Sequence, residues 1–157
     1  MGSEIEIDTM QKNPHGKRTW SDPQVYTHVA FLPAVWIALC RDPPMLDLVF
    51  IQGPVIFLSL WWHKNHEHEC TLATIEHAFA HALFVYGTVQ TLYSPAIWIL
   101  FVNIVCLCAT LTVYVATNLR RELWETWHPI GTHVIPGVWS AVIASYHESL
   151  FDLLDVE

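Results

Sequence analysis

His77 and His81 stand four residues apart in the run IEHAFAH, with Glu76 directly before the first of them. Residues at that spacing share one face of a helix. The pair can therefore chelate a metal ion while the neighbouring carboxylate acts as a base or orients a bound water. A second group reads SLWWHKNHEH: Ser59 and His63 lie one helical turn apart, and His66 and His68 follow in a short stretch of mixed charge. His63 can turn inward from the end of its helix, with Ser59 supplying a hydrogen bond to the ligand or its water, whereas the loop pair reads as solvated. The third group is WHPIGTH. Its proline suits the first helical position, which makes His128 the N-cap and leaves His133 five residues further on. Five residues of regular helix set two side chains about 140° apart, a poor bidentate pair, although the irregular helix start leaves His128 free to come round. Pro136 and Gly137 mark a kink that would aim the upper half of this helix at the bundle centre.

The background of these residues is apolar. Of 157 residues, 53% are hydrophobic and 14% charged, against about 25% charged in a soluble domain. The net charge of -8, with only seven scattered Lys and Arg, excludes a general nucleic-acid binder, which needs a basic face. The apolar residues fall into five stretches, Pro23 to Cys40, Met45 to Trp62, Thr71 to Tyr93, Pro95 to Asn118 and Pro129 to Leu150. Each is near the roughly 20 residues that a bilayer core requires. The fourth carries no charge along AIWILFVNIVCLCATLTVYVATN, and an all-apolar helix of that length belongs in lipid. The expected fold is an all-α, polytopic transmembrane bundle of about five spans over residues 23–150. Residues 1–22 form a flexible polar tail without the apolar region of a signal peptide, and residues 151–157 an acidic terminus.

If the spans alternate, one face holds Lys12, Lys17, Arg18, Lys64, Arg120 and Arg121, and the other only Arg41. This asymmetry predicts a cytoplasmic N-terminus. The same alternation places His28, His63, His66, His68, His77, His81, His128 and His133 in the cytoplasmic half, and His147 on the far side. At about 1.5 Å per residue, His77 lies roughly 9 Å and His81 about 15 Å below Thr71. Ionisable groups at that depth cost several kcal/mol unless paired or ligated. A hydrogen-bonded polar seam between helices would meet that need; so would a metal. His63, one of His77 and His81, and His128 or His133 can meet between helices two, three and five. Three imidazoles plus water form the open catalytic zinc arrangement.

The order of these groups is Ser59-x-x-x-His63 at the end of an early helix, Glu76 in the next, and His128 with His133 in the last. It resembles the superfamily of membrane hydrolases that includes the alkaline ceramidases and the progestin and adipoQ receptors. The resemblance implies a helical membrane fold and a zinc ion bound by three histidines, with an acidic residue and a serine nearby. It also implies cleavage of amide bonds in lipids. On that pattern Ser59 and His63 match the first motif, Glu76 stands for an Asp, and His128 with His133 stand for a His-x-x-x-His. The chain departs from it in having about five spans instead of seven and a last pair spaced by five, and His77 and His81 have no counterpart.

These readings predict a multi-pass integral membrane protein with an intramembrane zinc site of hydrolase type. His63, His77, His81, His128 and His133 are the candidate ligands, Glu76 and Ser59 the candidate catalytic groups, and a membrane lipid amide or ester, approached between helices, the substrate. Two other classes fit the same residues. A membrane subunit can use such histidines as axial ligands to haem or chlorophyll, and a proton-linked channel or transporter can relay protons through histidines and Glu76. Assembly as an oligomer or within a larger membrane complex is compatible with all three. Cys40, Cys70, Cys106 and Cys108 read as packing residues, and Trp36 and Trp139 as packing residues or pocket walls deep in their spans.

Overall fold

The computed structural model describes residues 17–65 and 71–154; His15, His66, His68 and Cys70 lie outside the described residues. Among the described residues there are helices and turns and no strand. Asp22 caps the first helix, its Oδ1 accepting from the Gln24 amide at 2.9 Å. Pro23 occupies the first turn of α1 (Pro23–Tyr26), where a missing N–H is harmless. The helix then tightens to a 3₁₀ turn over Thr27–Phe31 and resumes as α2 (Leu32–Cys40). Pro33 accounts for the change. It has no N–H for the Val29 carbonyl, which accepts instead from the Leu32 amide in the shorter 3₁₀ register.

Pro43 and Pro44 close that segment. α3 (Leu46–Asn65), α4 (Thr71–Leu92) and α5 (Ile97–Leu119) follow. After a short turn at Arg121–Leu123 the chain is helical to Tyr146, but in three registers. α6 (Trp124–His128) passes into a π-helical turn, Pro129–Val134, and then into α7 (Ile135–Tyr146). Pro136 cannot donate to the carbonyl four residues back, and its ring would press against it. The turn before it widens, and the Ile135 amide donates to the Ile130 carbonyl, five residues back. α8 (Leu150–Leu154) ends the described chain, starting at the last residue of the expected helical region and running into the stretch that the sequence assigns to an acidic terminus.

Among the described residues, three segments are long and apolar enough to cross a membrane: Pro23–Cys40, Leu46–Asn65 and Ile97–Leu119. α4 has a similar length of 22 residues, but Glu76, His77 and His81 lower its hydropathy. α7 has only 12 residues, although it continues the helical path from Trp124. The distribution of side chains agrees with a lipid surround. Trp36, Phe50, Phe57 and Phe101 are 65–70% exposed, while Gln52, Gln90 and Asn103 are 0% exposed. An apolar exterior around a polar interior reverses the arrangement that water selects. Of the two deep tryptophans, Trp139 is buried and lies over Gly87, and Trp36 faces outward.

α3 packs on α4, and α2 and α5 on α7. Ala34 and Ala38 are buried on α2, and residues that small let helices approach closely. At one end of the bundle a polar network binds the segment after α7. Asp47 accepts from the Tyr86 hydroxyl at 3.0 Å and from the Leu150 amide at 2.7 Å. Gln90 donates to the Tyr86 hydroxyl and to the Glu148 carbonyl, Asn103 pairs with Ser94 and His147, and Arg41 donates to the carbonyls of Ala144 and His147. Asp47→Ala strands buried donors on Tyr86 and Leu150, and is expected to lower stability by about 2 kcal/mol. Thermal unfolding in detergent would register this as a lower midpoint, with Tyr86→Phe causing a smaller loss.

Candidate metal centre

The two irregular turns pack against each other, and each carries a histidine inward. His28 lies in the 3₁₀ turn, His133 in the π turn, and His63 in the last turn of α3; all three are buried. Their ring centroids are 3.9 Å apart for His28 and His133, 5.2 Å for His63 and His133, and 5.5 Å for His28 and His63. One ring nitrogen from each can be chosen so that all three lie within 4.8 Å of one another.

Hydrogen bonds decide which nitrogen each of two rings presents. His28 Nδ1 is 2.9 Å from the Val25 carbonyl, which can only accept, so Nδ1 carries the proton and Nε2 keeps its lone pair. That Nε2 is buried with no hydrogen-bond partner among the described residues. His133 Nδ1 lies 2.8 Å from Thr27 Oγ1. The Thr27 hydroxyl donates its own proton to the Pro23 carbonyl, so it accepts from His133 Nδ1–H and leaves the His133 Nε2 lone pair available. Histidine ligands in metal sites are oriented in this way through the other ring nitrogen. Removing the Thr27 hydroxyl tests its role: Thr27→Val is expected to weaken metal affinity by about 10–100-fold, and Thr27→Ser to restore it, by competition with a zinc-binding dye.

His128 is a fourth buried imidazole at the same place, with its centroid 5.3 Å from both His63 and His133. Its ring stacks on Trp124 at 3.7 Å. The five-residue spacing that would separate His128 and His133 on an α-helix matches the hydrogen-bond offset of a π-helix, i to i+5, and the wider turn Pro129–Val134 follows His128 and contains His133. An ion-pair clasp secures the end of the bundle beside these rings. Arg18 makes paired contacts to Glu125 at 2.8 and 3.0 Å and reaches Asp22 at 2.9 Å. Gln24 donates to the Trp124 carbonyl at 3.1 Å. Arg18 is buried, so this part of the polar N-terminal segment is tied to α6.

The remaining sequence candidates divide into two sets. Ser59 and Glu76 are buried, and the Ser59 hydroxyl hydrogen-bonds the Glu76 carboxylate across the α3–α4 contact. His77 and His81 lie on the exposed side of α4. His77 Nε2 is 3.4 Å from Glu76 Oε2, and His81 Nδ1 donates to the His77 carbonyl at 2.6 Å. Of the five histidines proposed from spacing, the structure thus joins His63, His128 and His133, and sets His77 and His81 outside their cluster. The member that spacing reasoning misses is His28, a lone histidine in the first stretch. Its sequence signal is topological: it falls on the same half of the bundle as the others, one residue after a threonine able to hold a second imidazole. Comparison with known protein families, curated proteins and solved structures gives no match to this chain, so the side chains themselves carry the functional argument.

Proposed function

We propose that the chain is a multi-pass membrane protein whose buried His28, His63 and His133 hold a zinc ion, and that this centre hydrolyses an amide or ester bond of a membrane lipid. The observation that carries the metal reading is the pair of tautomers. His28 and His133 each donate through Nδ1 to a fixed acceptor, which leaves two Nε2 lone pairs in a buried three-imidazole group. Burying them unligated would be costly. A group of three imidazoles suits zinc, whose catalytic sites take three protein ligands and a water. The 3.9 Å contact between the His28 and His133 rings leaves no slot between them for a planar macrocycle, which favours a single ion over haem or chlorophyll.

Bound zinc would supply an activated water or polarise a carbonyl. Glu76, held by Ser59, is the acid–base candidate, and this arrangement with His63, His128 and His133 underlies the resemblance to the ceramidase-type hydrolases. His128, stacked on Trp124, is a candidate for orienting the substrate or a fourth ligand. The topology that fits this reading has five spans, with α4 and the continuous path through α6 and α7 joining the three most apolar segments, and a cytoplasmic N-terminus. The test is hydrolysis in reconstituted vesicles containing a ceramide and a phosphatidylcholine, with released fatty acid measured by mass spectrometry. Release by the zinc-loaded protein that disappears in Glu76→Gln supports the hydrolase reading. Stoichiometric zinc with neither lipid cleaved overturns the hydrolase assignment for these two classes and leaves the metal centre standing.

A further inference from the structure

The face of α5 turned away from the bundle carries a second feature, independent of the histidines. Ile99, Asn103, Thr110 and Thr117 are the buried side of this helix. On the opposite side, Leu111, Thr112, Val115, Ala116 and Leu119 line an open groove of about 590 Å³, and Leu123 joins its lining from the following turn. Arg120 stands at the end of this groove, one residue beyond the span Ile97–Leu119. Arg120 is exposed, and its guanidinium makes no hydrogen bond or ion pair among the described residues. From Leu111 to Leu119 the groove runs about 12 Å along the helix at 1.5 Å per residue, close to the depth of one leaflet of a roughly 30 Å hydrocarbon core.

We propose that this groove binds one phospholipid with an anionic headgroup, its acyl chain lying along Leu111, Val115 and Leu119 and its phosphate paired with Arg120. The two ends of the site match the two ends of such a lipid. Apolar branched side chains accept a chain at the depth where chains lie, and an unpaired guanidinium meets a phosphate at the depth where headgroups lie. On a chain of net charge -8, the positive charge of Arg120 at the end of the groove gives it a preference for anionic lipid. Ala116 carries the smallest side chain of the lining residues, so a large side chain there would fill the groove.

Native mass spectrometry of the full-length protein in detergent, titrated with phosphatidylglycerol or with phosphatidylcholine of the same acyl chains, tests the site. The expected result is one tightly retained phosphatidylglycerol per chain. Arg120→Gln should lower the preference over phosphatidylcholine about fivefold, the contribution of one interfacial basic residue, while phosphatidylcholine retention stays unchanged. Ala116→Trp should remove both lipids with helicity intact. Equal retention of the two lipids by the unaltered protein, or an unchanged preference in Arg120→Gln, overturns the proposal. Displacement of the lipid by free glycerol phosphate also overturns it, since the site would then be a phosphate site and not a lipid groove.

Discussion

His133→Ala is expected to reduce bound zinc from about one ion per chain to near zero, while the detergent-solubilised protein remains helical. Of the three proposed ligands, His133 is the one whose orientation depends on the most structure. Its Nδ1 is held by Thr27, whose hydroxyl is in turn committed to the Pro23 carbonyl, and its ring lies against His28 at 3.9 Å. His28 and His63 remain as proposed ligands and His128, stacked on Trp124, is not held by Thr27, so the lost affinity should exceed the about 10–100-fold that removal of an orienting partner costs. His77→Ala, on the exposed side of α4, serves as the contrast and is expected to retain the ion. Elemental analysis of the two variants, purified side by side, separates a ligand from a bystander. Equal zinc in both would mean that the three buried rings are not the site.

The second large effect comes from Gly137→Ala. A β-carbon at Gly137 would lie 2.5 Å from the Ala30 carbonyl oxygen and 2.7 Å from its carbon. Those atoms are backbone, so no side chain can swing aside to make room. Ala30 is two residues from His28, and Gly137 is four residues from His133. Relief of the clash must therefore push the 3₁₀ turn away from α7 and pull the two imidazoles apart. Overpacking of this kind costs about 1–3 kcal/mol, so the variant is expected to unfold at lower temperature and to bind zinc more weakly. Gly53→Ala, where an added β-carbon meets nothing within 4 Å, is the control and should change neither. A Gly137→Ala protein with normal zinc affinity would show that the close approach does not set the spacing of His28 and His133.

Much of this architecture is legible in composition and spacing, and the rest is hidden for definable reasons. The uncharged run in α5 is legible as a candidate span because it is long and apolar enough to cross a bilayer. The inward polar side of α3 is visible in Ser59 and His63, one turn apart, and both are buried. The pair His77 and His81 has the most regular spacing in the chain, yet it faces outward. Spacing establishes that two side chains share a helical face, but not that the face points into the bundle. His128 and His133 show the converse. Their five-residue offset is unfavourable only on an α-helix, and Pro136 forces the wider turn that aligns them. His28 escapes notice because nothing local distinguishes it; its role exists only when the 3₁₀ turn before Pro33 meets the π turn before Pro136. Two prolines, five residues after His28 and three after His133, are the sequence feature that joins these observations.

The most direct measurement is the metal content of the unaltered full-length protein, purified in detergent without chelators and assayed by inductively coupled plasma mass spectrometry together with a visible absorption spectrum. The expected result is about one zinc per chain and no absorption band from a haem or chlorophyll. Absence of any stoichiometric metal, even after incubation with zinc and removal of the excess, would contradict a metal centre at His28, His63 and His133.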